Sequence, residues 1–420
     1  MHIGIAGPLG TPDIEHLLDG DTQHLPREMK GGSLLVTLIE AYLQMGHQVS
    51  AFTTDPALLP RRDSRVIAHG PGLTVHYVPR RRHGLRSDRG ARGRMLDLFA
   101  LERQTLADAM REAGPEIIHA HWSYEFAAAA LDTGLPCLVT CHDSPWAILK
   151  VYRDLYRLGR LLMARSVFRR MQHATVVSPY LVKEIGHMTP ATLHVVANPL
   201  PESILEIGRS RPPARPPFQA PRIAMLLNGW STRKNAKPAM QAMPAILKNH
   251  PQASMHLYGP GYGQGEPAQQ WARANGLEAG LVFHGWTPYA QTMQALAESD
   301  LLLHPALEES FGMTIAEAMA LGVPVVAGEH SGAVPWVLGG PEGGGLLTDV
   351  RSANSIAEAV LTLLSNPDRY ERCALSGRER AHAQFTTAAV ANAYMQHYTR
   401  ILGENPSALI AAGTQQGSVQ

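Results

Sequence analysis

The first half of the chain alternates short apolar runs with longer stretches in which the apolar positions follow helical spacing. Runs that are apolar at successive positions predict strands buried on both faces. Helical spacing is present at residues 34–45 and 96–113. The strand-like runs lie at residues 2–6, 48–53, 73–78, 116–121, 136–141, 174–178 and 193–197. This rhythm predicts a doubly wound α/β domain with a parallel sheet.

The same rhythm restarts after a proline-rich segment at residues 209–217, which is interpreted as a linker because it cannot extend a helix or a central strand. The later strand-like runs lie at residues 222–227, 253–258, 281–284, 300–304, 323–327 and 345–347. We predict one Rossmann-like domain over residues 1–205, a second over 206–385, a last helix over 386–403 and a flexible polar tail over 404–420. Two such domains predict a central cleft for a small ligand.

Composition describes a globular protein of 420 residues, 45% hydrophobic and 17% charged, which is too long for one ordinary core. The net charge of +1 gives no overall attraction to nucleic acid. Cys137, Cys141 and Cys373 lack the spacing of a disulfide framework or a zinc site, which favours a reducing, cytoplasmic compartment. The amino terminus lacks a signal-peptide pattern, and no run approaches the ~20 apolar residues of a membrane span.

Basic residues concentrate in two segments of the first predicted domain. Residues 80–94 contain seven arginines interrupted by glycines. This stretch is interpreted as a mobile, solvated loop, with contact to anionic lipid or an acidic acceptor as the alternative. Residues 146–170 mix leucines with basic side chains, and we expect them to pack on the first domain with their charges outward. A weak peripheral contact with the inner face of a membrane, which would serve a lipid-linked acceptor, stays open for this segment.

The most informative segment lies between the apolar runs at residues 300–304 and 323–327. Its middle has helical spacing, so it predicts a strand, loop, helix and strand of a parallel sheet. Ligands of such sheets bind outside the carboxyl ends of the strands, where free amides at a helix start attract anions. Glu309 lies in the loop and Glu317 about one turn into the helix, so both carboxylates are expected to face one crevice. The candidate amide donors belong to Phe311, Gly312, Met313 and Thr314.

A carboxylate is a good bidentate acceptor for a vicinal diol. The arrangement of Glu309 and Glu317 around free amides therefore suits a ligand with hydroxyls flanking a diphosphate, which is the layout of a nucleotide sugar. The alternative is that Thr314 and Glu317 form a capping box and that Glu309 is simply solvated. The segment by itself leaves both interpretations open.

The segment also resembles the signature of the family 4 glycosyltransferases, in which seven residues separate two glutamates. The matching stretches are Glu309-Ser310-Phe311-Gly312 and Glu317-Ala318-Met319-Ala320, followed by Gly322-Val323-Pro324-Val325-Val326-Ala327. The resemblance implies the two-Rossmann-domain GT-B architecture, with both domains facing the cleft. It also implies a retaining enzyme that moves a hexose from a UDP- or GDP-linked sugar to a saccharide or lipid-linked hydroxyl acceptor, in glycan, polysaccharide or glycoconjugate biosynthesis.

The resemblance implies roles for the residues of this segment. Glu309 would contact the donor sugar hydroxyls and Glu317 the ribose diol. Ser310 would belong to the donor-binding loop, and the amides of Phe311, Gly312, Met313 and Thr314 would hold sugar and phosphate oxygens.

The second predicted domain opens with a strand followed by a loop that contains Arg233 and Lys234. A diphosphate at this strand end needs fixed positive charge, and the two residues offer a planar fork and a point charge. An ordinary basic surface loop is the alternative. The family usually has an arginine where this chain has Trp230. By resemblance, the remaining donor-binding residues are Asn228 and Gly229, with the backbone of His284, Gly285 and Trp286 lining the base pocket.

In the first predicted domain, Gly31 and Gly32 precede an amphipathic helix. Paired glycines let the backbone approach a diphosphate closely at a helix start, although a plain glycine turn also accounts for them. By resemblance, His142 at a strand end contacts the donor sugar near the reacting carbon. Asp143 and His121 are candidates for the acceptor side.

No required metal or other cofactor is predicted, because fixed cations and helix amides can stabilise a leaving diphosphate. The triplet Asp19-Gly20-Asp21 lies in a polar loop and is interpreted as solvated, while His119 and His121 have no third ligand placed in the sequence. Two alternatives to a glycosyltransferase are a sugar-nucleotide epimerase of the same fold and a non-catalytic regulator that binds a nucleotide sugar.

Overall fold

A computed structural model describes residues 1–87, 89–211 and 216–404. The described chain forms two compact units. The first contains the described residues of 1–199 and 387–404, and the second contains those of 200–386. Each unit is a sheet covered by helices.

The first unit is built on an eight-stranded sheet of order β3-β4-β2-β1-β5-β6-β7-β8. All neighbours pair in parallel except β3, which runs antiparallel to β4. The chain order reverses between β1 and β5, so the loops after these strands flank a switch point where ligands of such sheets bind. The strands are β1 (His2–Ala6), β2 (Gln48–Asp55), β3 (Val66–Gly70), β4 (Leu73–Pro79), β5 (Ile117–His121), β6 (Cys137–Cys141), β7 (Ala174–Val176) and β8 (Leu193–Val195).

The second unit is built on a six-stranded, fully parallel sheet of order β11-β10-β9-β12-β13-β14. Its chain order reverses between β9 and β12, which places a second switch point at the loops that follow these two strands. The strands are β9 (Arg222–Leu226), β10 (Ser254–Tyr258), β11 (Leu281–Gly285), β12 (Leu301–His304), β13 (Val325–Gly328) and β14 (Gly345–Thr348). The fold class predicted from the apolar rhythm, two doubly wound α/β units, is confirmed.

Helices alternate with the strands in both units. In the first unit they are α1 (Thr11–Ile14), α2 (Ser33–Gln44), α3 (Ala100–Ala113), α4 (Glu125–Thr133), α5 (Pro145–Tyr152), α6 (Leu155–Arg170) and α7 (Pro179–Ile185). In the second unit they are α8 (Glu202–Ser210), α9 (Ala236–Gln241), α10 (Met243–Asn249), α11 (Pro267–Ala274), α12 (Tyr289–Ala297), α13 (Met313–Ala320), α14 (Val334–Leu338), α15 (Ala353–Ser365) and α16 (Pro367–Gln384). The last helix, α17 (Thr387–Glu404), belongs to the first unit and packs Tyr394 and Tyr398 into its core.

Several local predictions differ from the structure. Strand β3 was not predicted, because it lies at the sheet edge with alternating exposed residues and so lacks a continuous apolar run. The predicted linker begins too early, since Arg209 and Ser210 still belong to α8. Residues 212–215 of that linker and residues 405–420 of the predicted tail lie outside the described residues. The loop after β1 also contains the short helix α1.

The arginine-rich segment is not simply solvated. Arg81 is buried and forms ion pairs with Asp97 (2.8 Å) and Glu102 (2.6 Å). Arg94 donates to the backbone carbonyls of Arg81 and Arg82. The ion pair between Arg81 and Glu102 therefore holds the segment against α3. Arg82 and its neighbours are exposed at the surface.

Candidate functional site

The loops that follow β9 and β12 are joined by hydrogen bonds at the switch point of the second unit. The amide of Leu307 donates to the carbonyl of Arg233 at 2.9 Å. The Asn235 side chain donates to the carbonyls of Pro305 (3.0 Å) and Val350 (2.9 Å). Asn235 has a left-handed backbone, with φ of 53°. The sheet topology and these bonds fix Arg233 and its neighbour Lys234 next to the loop after β12.

Two ion pairs occupy this place. The Lys234 ammonium lies 2.5 Å from Oε1 of Glu309, and Nη1 of Arg233 lies 3.2 Å from Oε2 of Glu308. Nε2 of His304, at the end of β12, lies 3.3 Å from the same Oε1 of Glu309. The cations and the first glutamate that the sequence singled out are therefore brought together, whereas Glu308 and His304 were missed.

Glu309 is a buried, ion-paired carboxylate. Its side chain is 14% exposed and that of Lys234 is 10% exposed. Burial by itself would raise the pKa of Glu309, but the hydrogen bond from His304 and the charge of Lys234 outweigh it and hold the pKa well below its ordinary value. The alternative that Glu309 is simply solvated is wrong.

The backbone of the Glu309 loop is held from the other side by residues that follow β13. The amide of Ala333 donates to the carbonyl of Glu309 at 2.8 Å, and Glu309 forms an isolated parallel bridge with Gly332. The Ser331 hydroxyl donates to the carbonyl of Ala306 at 2.6 Å. The position of the carboxylate is thus fixed by its backbone as well as by its ion pair.

Helix α13 begins directly after this loop, at Met313. Gly312 is its N-cap, with a left-handed φ of 95°, a conformation that glycine adopts without strain. The first amides of α13, those of Met313 and Thr314, have no acceptor within the helix and carry its positive dipole end. Phe311 anchors the turn, because its ring packs edge-on against Phe385 at 5.3 Å. The structure therefore provides the anion-attracting helix start that the sequence predicted.

Glu317 lies in the second turn of α13 and is buried. Its Oε1 accepts the hydroxyl of Tyr289 at 2.8 Å. Burial raises the pKa of Glu317 to about 7, so this carboxyl group changes charge near neutral pH. The capping-box alternative is wrong, because the N-cap is Gly312, without a side-chain cap, and Thr314 already lies within the helix.

The other residues predicted for the second unit do not join this group directly. Asn228 is exposed, and Gly229 adopts a left-handed φ of 89°. The ring of Trp230, which stands where the family usually has an arginine, packs against Tyr262 and Trp271. This packing accounts for an aromatic residue at the position.

A surface pocket of about 270 Å³ opens beside the loop after β9. Its lining residues are Trp230, Ser231, Thr232, Asn235, Ala236 and Lys237. The pocket has both an aromatic wall and a cation, since the Lys237 ammonium lies 5.9 Å from the Trp230 ring centroid. Ser231, Thr232 and Lys237 were not predicted from the sequence as residues of a site.

The segment predicted to line the base pocket, His284, Gly285 and Trp286, lies at the end of β11. His284 stacks on Tyr258, with ring centroids 4.4 Å apart, and its Nε2 lies 2.9 Å from Nδ1 of His256. Trp286 is 71% exposed, and Gly285 has a positive φ of 72°. Tyr289, three residues further on, is the residue that reaches Glu317. Tyrosine at the start of a helix carries no sequence signal for this contact.

In the first unit, the carboxyl ends of β5 and β6 carry a pair of buried histidines. Nδ1 of His121 lies 2.9 Å from Nε2 of His142, so one ring donates to the other. Burial lowers the pKa of His142 to about 3 and also lowers the pKa of His121, so both imidazoles are neutral at neutral pH. The Trp122 ring stacks on His142 at 4.4 Å. Nε2 of His121 has no hydrogen-bond partner among the described residues.

A second hydrogen-bond chain runs from this strand end to the last helix. The two ring nitrogens of His119 bond to the hydroxyls of Tyr398 and Thr140, each at 2.6 Å. The Tyr398 hydroxyl also lies 3.0 Å from that of Tyr42 on α2. His119, which the sequence analysis left without a role, thus connects β5 with α17 and α2.

Asp143 follows His142 and accepts the hydroxyl of Tyr124 at 2.9 Å. The guanidinium of Arg160 lies over the Tyr124 ring, 3.5 Å from its centroid. Asp143 is therefore a positioned carboxylate of the strand end.

The paired glycines before α2 lie close to the loop after β1. A side chain at Gly31 would bring its Cβ within 2.4 Å of the Gly10 amide nitrogen, so only glycine fits there. The amide of Gly32 donates to the carbonyl of Pro8 at 3.0 Å. The Asp13 carboxylate accepts hydrogen bonds from the amides of Gly10 and Gly31, and burial raises its pKa. Both glycine amides thus have acceptors in this structure, and Asp13 stands where an anion would bind.

No group of three or more His, Cys, Asp or Glu side chains in the described part of the chain is arranged to hold a metal ion. Within the same ranges, no helix combines the length and apolar character that crossing a bilayer requires.

Comparison with known proteins gives the chain a family. Residues 31–203 match the family model described as Glycosyltransferase Family 4, and residues 214–380 match the model described as Glycosyl transferases group 1. Glycogen synthase of Mycobacterium tuberculosis is 25% identical over 293 residues, covering 68% of this chain and 68% of the relative. The GDP-mannose-dependent alpha-(1-6)-phosphatidylinositol monomannoside mannosyltransferase of Mycolicibacterium smegmatis is 27% identical over 251 residues, covering 57% and 63%.

Solved structures agree on the fold. Sucrose-phosphate synthase from Thermosynechococcus elongatus has a TM-score of 0.73 at 18% identity, covering 96% of this chain and 100% of its own. The Anabaena protein HepE, solved in complex with UDP-glucose, has a TM-score of 0.64 at 17% identity, covering 96% and 100%. The two family models together span most of the sequence and coincide with the two units of the fold. The chain therefore belongs to the family 4 glycosyltransferases.

Proposed function

We propose that the protein is a retaining glycosyltransferase that moves a sugar from a nucleoside-diphosphate sugar to a hydroxyl acceptor. The observation that carries the proposal is the Lys234–Glu309 ion pair at the switch point of the second unit, directly before the free amides of α13. A buried cation, an adjacent carboxylate and a helix start are the groups needed by a ligand that joins a diphosphate to sugar hydroxyls.

Donor binding in this proposal exchanges partners within the cluster. Phosphate oxygens take the place of Glu308 and Glu309 on Arg233 and Lys234, and the amides of Met313 and Thr314 add neutral donors. Glu309 is then released to accept hydrogen bonds from sugar hydroxyls. The exchange preserves charge balance, because one anion replaces another at each cation.

Glu317 is assigned to the ribose diol. An ionised carboxylate accepts both hydroxyls, whereas a protonated one offers fewer acceptor sites. Since burial raises its pKa to about 7, its ionisation and donor binding are coupled near neutral pH.

The chemistry requires stabilisation of a leaving group. The bond between the anomeric carbon and the phosphate oxygen breaks, and its electron pair leaves with the diphosphate, where Arg233, Lys234 and the α13 amides stabilise the charge. The acceptor oxygen forms the new bond on the same sugar face, and its proton passes to the departing phosphate oxygen. We assign to the neutral imidazole of His142 a hydrogen bond to the donor sugar, as the family resemblance implies. The steps use no metal ion.

The relatives support UDP or GDP as the nucleotide. A fold neighbour was solved with UDP-glucose, and a sequence relative is named as GDP-mannose-dependent. The acceptor is proposed to be a saccharide or a lipid-linked hydroxyl, since the relatives include a glycogen synthase and phosphatidylinositol mannosyltransferases.

The test begins with thermal unfolding in the presence of UDP, GDP, ADP and their sugars. A donor at 100 times its dissociation constant should add about 2.7 kcal/mol to the free energy of unfolding. The preferred donor is then incubated with protein alone and followed by NMR. Slow release of free sugar with retained anomeric configuration, lost in Glu309→Ala, supports the proposal. Conversion to a second nucleotide sugar would indicate an epimerase, and tight binding without turnover on any acceptor would indicate a regulator.

A further inference from the structure

The outer side of α6 has a composition that glycosyl transfer does not require. Leu155, Leu158 and Leu162 are 71%, 42% and 55% exposed, and they follow one another at helical spacing. Arg165 and Arg169 continue the same stripe toward the end of the helix and are also exposed. We call these five residues the leucine–arginine stripe. The segment does expose charges, as expected, but three leucines face outward beside them, which the sequence did not predict.

The exposed leucines of the stripe do not belong to the side of α6 that packs into the core. The opposite side of α6 already packs Leu161, Val167 and Phe168 into the unit, and all three are buried. Exposed large apolar residues in a row are uncommon on a surface that meets only water, and they mark sites of contact with a partner or a membrane.

The two arginines of the stripe differ from their neighbours Arg160 and Arg170, which lie 4.0 Å from Glu125 and 2.7 Å from Asp132. Asp154 is the only acidic residue between residues 145 and 170, and it forms an ion pair with Arg157 at 2.9 Å. Among the described residues, no acidic side chain lies within salt-bridge distance of Arg165 or Arg169. Cationic charge that is not neutralised by the protein itself is complementary to an anionic surface.

The neighbouring elements extend the same character. On α5, Trp146 is 41% exposed, and the Lys150 ammonium lies 5.3 Å from the Trp146 ring centroid. A tryptophan beside a lysine is typical of the boundary between lipid and water, because the ring is apolar and its N–H remains hydrated.

The arginine-rich segment packs alongside α6. The Tyr156 hydroxyl lies 3.4 Å from Arg94, and the backbone at Gly159 lies against the Met95 side chain. The two basic segments that the sequence presented separately are therefore in contact through Arg94 and Met95.

We propose that the leucine–arginine stripe, with the adjacent Trp146, docks the protein on an anionic lipid bilayer. Leucines followed by arginines on one helix face match a membrane interface, in which acyl chains bury the apolar part and anionic headgroups meet the basic part. Arg165 and Arg169 have no acidic partner among the described residues, which favours an anionic surface as the occupant. The proposal does not rest on the identity of the donor or on catalysis.

The experiment is flotation of the full-length protein with vesicles of phosphatidylcholine alone or of phosphatidylcholine with 30 mol% phosphatidylglycerol, about the anionic fraction that gives strong surface attraction. The protein is expected to float with the anionic vesicles, weakly with the neutral ones, and less as salt is raised. The Arg165→Glu/Arg169→Glu variant should bind at least about tenfold more weakly, and Leu155→Ser/Leu158→Ser/Leu162→Ser should lose binding to a similar extent.

Matched controls come from α16 of the second unit, where Arg369, Arg372 and Leu375 are exposed. Arg369→Glu/Arg372→Glu and Leu375→Ser should float like the unchanged protein, and circular dichroism should report the same fold for all variants. Equal flotation of the stripe and control variants would overturn the proposal. So would failure to bind vesicles combined with concentration-dependent self-association that the leucine substitutions abolish, since the stripe would then be an interface between copies of this chain.

Discussion

Burial has opposite effects on the charge of two clusters at strand ends. One cluster contains Glu309, Lys234 and His304 in the second unit, and the other contains His121 and His142 in the first. In the second unit, Glu309 keeps its charge because Lys234 and His304 offset the cost of burial and lower its pKa. In the first unit, burial lowers the pKa of His121 and His142, so both imidazoles lose their charge. One cluster is ionic and the other is neutral, although both follow parallel strands of similar sheets.

The difference teaches what each unit can bind. A paired cation and anion can exchange the anion for a phosphate without leaving an isolated charge in a buried site. Neutral imidazoles in a dry environment attract no diphosphate, but they donate and accept hydrogen bonds to hydroxyl groups. This difference supports placing the diphosphate of the proposed donor beside Lys234 in the second unit, while the neutral histidines of the first unit are suited to hydrogen bonds with hydroxyl groups.

The largest expected effect comes from removing the charge of Glu309. Glu309→Gln should lower the rate of sugar transfer by about 10³-fold, because the amide neither balances Lys234 nor accepts sugar hydroxyls as strongly. Initial rates with saturating donor and acceptor measure it. Glu308→Gln is the matched control in the same loop and should alter donor affinity more than turnover, since Glu308 pairs with Arg233 and not with Lys234. Equal losses of turnover in both variants would remove the distinction between the two acids.

Substitutions of His142 test whether the neutral histidine pair contributes to turnover. His142→Ala should lower turnover by about 10²-fold, while His142→Gln should recover part of the loss because it retains a hydrogen-bonding group. Since the pKa of His142 is about 3, its protonation should not contribute to the pH–rate profile between pH 5 and 8. A profile whose acidic limb near pH 6.5 vanishes in His142→Gln would show that this imidazole titrates in the working range, and the two clusters would then be less different than described.

The raised pKa of Glu317 predicts a pH dependence of both stability and donor affinity. Its pKa is raised from 4.5 to about 7, so the native state holds a proton that the unfolded state releases between these values. The free energy of unfolding should therefore fall as pH rises through that window, while donor affinity should rise, by about tenfold between pH 6 and 8, as the carboxylate forms. Calorimetry and thermal unfolding follow the two quantities. Glu317→Gln should flatten both curves, and donor affinity that falls with rising pH would contradict the ribose assignment.

The ionic cluster was largely predictable from sequence, because most of it lies in one strand–loop–helix segment and in the loop after another strand. Glu309, Lys234 and the start of α13 each had a local signal, namely apolar runs, a glycine at the helix entry and charged residues after a strand. The protonation of Glu317 had none, because it depends on burial and on Tyr289, which lies 28 positions away. Local sequence patterns predict the element on which a side chain lies, but not its burial or its distant contacts.

The neutral cluster shows the limit more clearly. His119 and Tyr398 are 279 positions apart, and their contact arises only because the last helix packs in the core of the first unit. The hydrogen bond of the Gly31 amide depends in the same way on Asp13, which is not part of any recognisable motif. The alternation of apolar runs predicts the sheets. Contacts between elements that are distant in sequence depend on how the whole unit packs.

The smallest expected effect separates structural from functional histidines. Tyr398→Phe removes a hydroxyl that bonds to both His119 and Tyr42, and should lower the free energy of unfolding by about 2 kcal/mol because two buried groups lose a partner. Tyr42→Phe removes one bond only and should cost about 1 kcal/mol, and the double variant should cost less than the sum, because both changes remove the same Tyr42–Tyr398 bond. Urea unfolding measures all three, and turnover should stay within about twofold because His119 has no assigned contact with the donor. A tenfold loss of turnover in Tyr398→Phe at unchanged stability would instead make the chain from Tyr42 to His119 part of the catalytic machinery, and the neutral cluster would then extend from the strand end to the last helix.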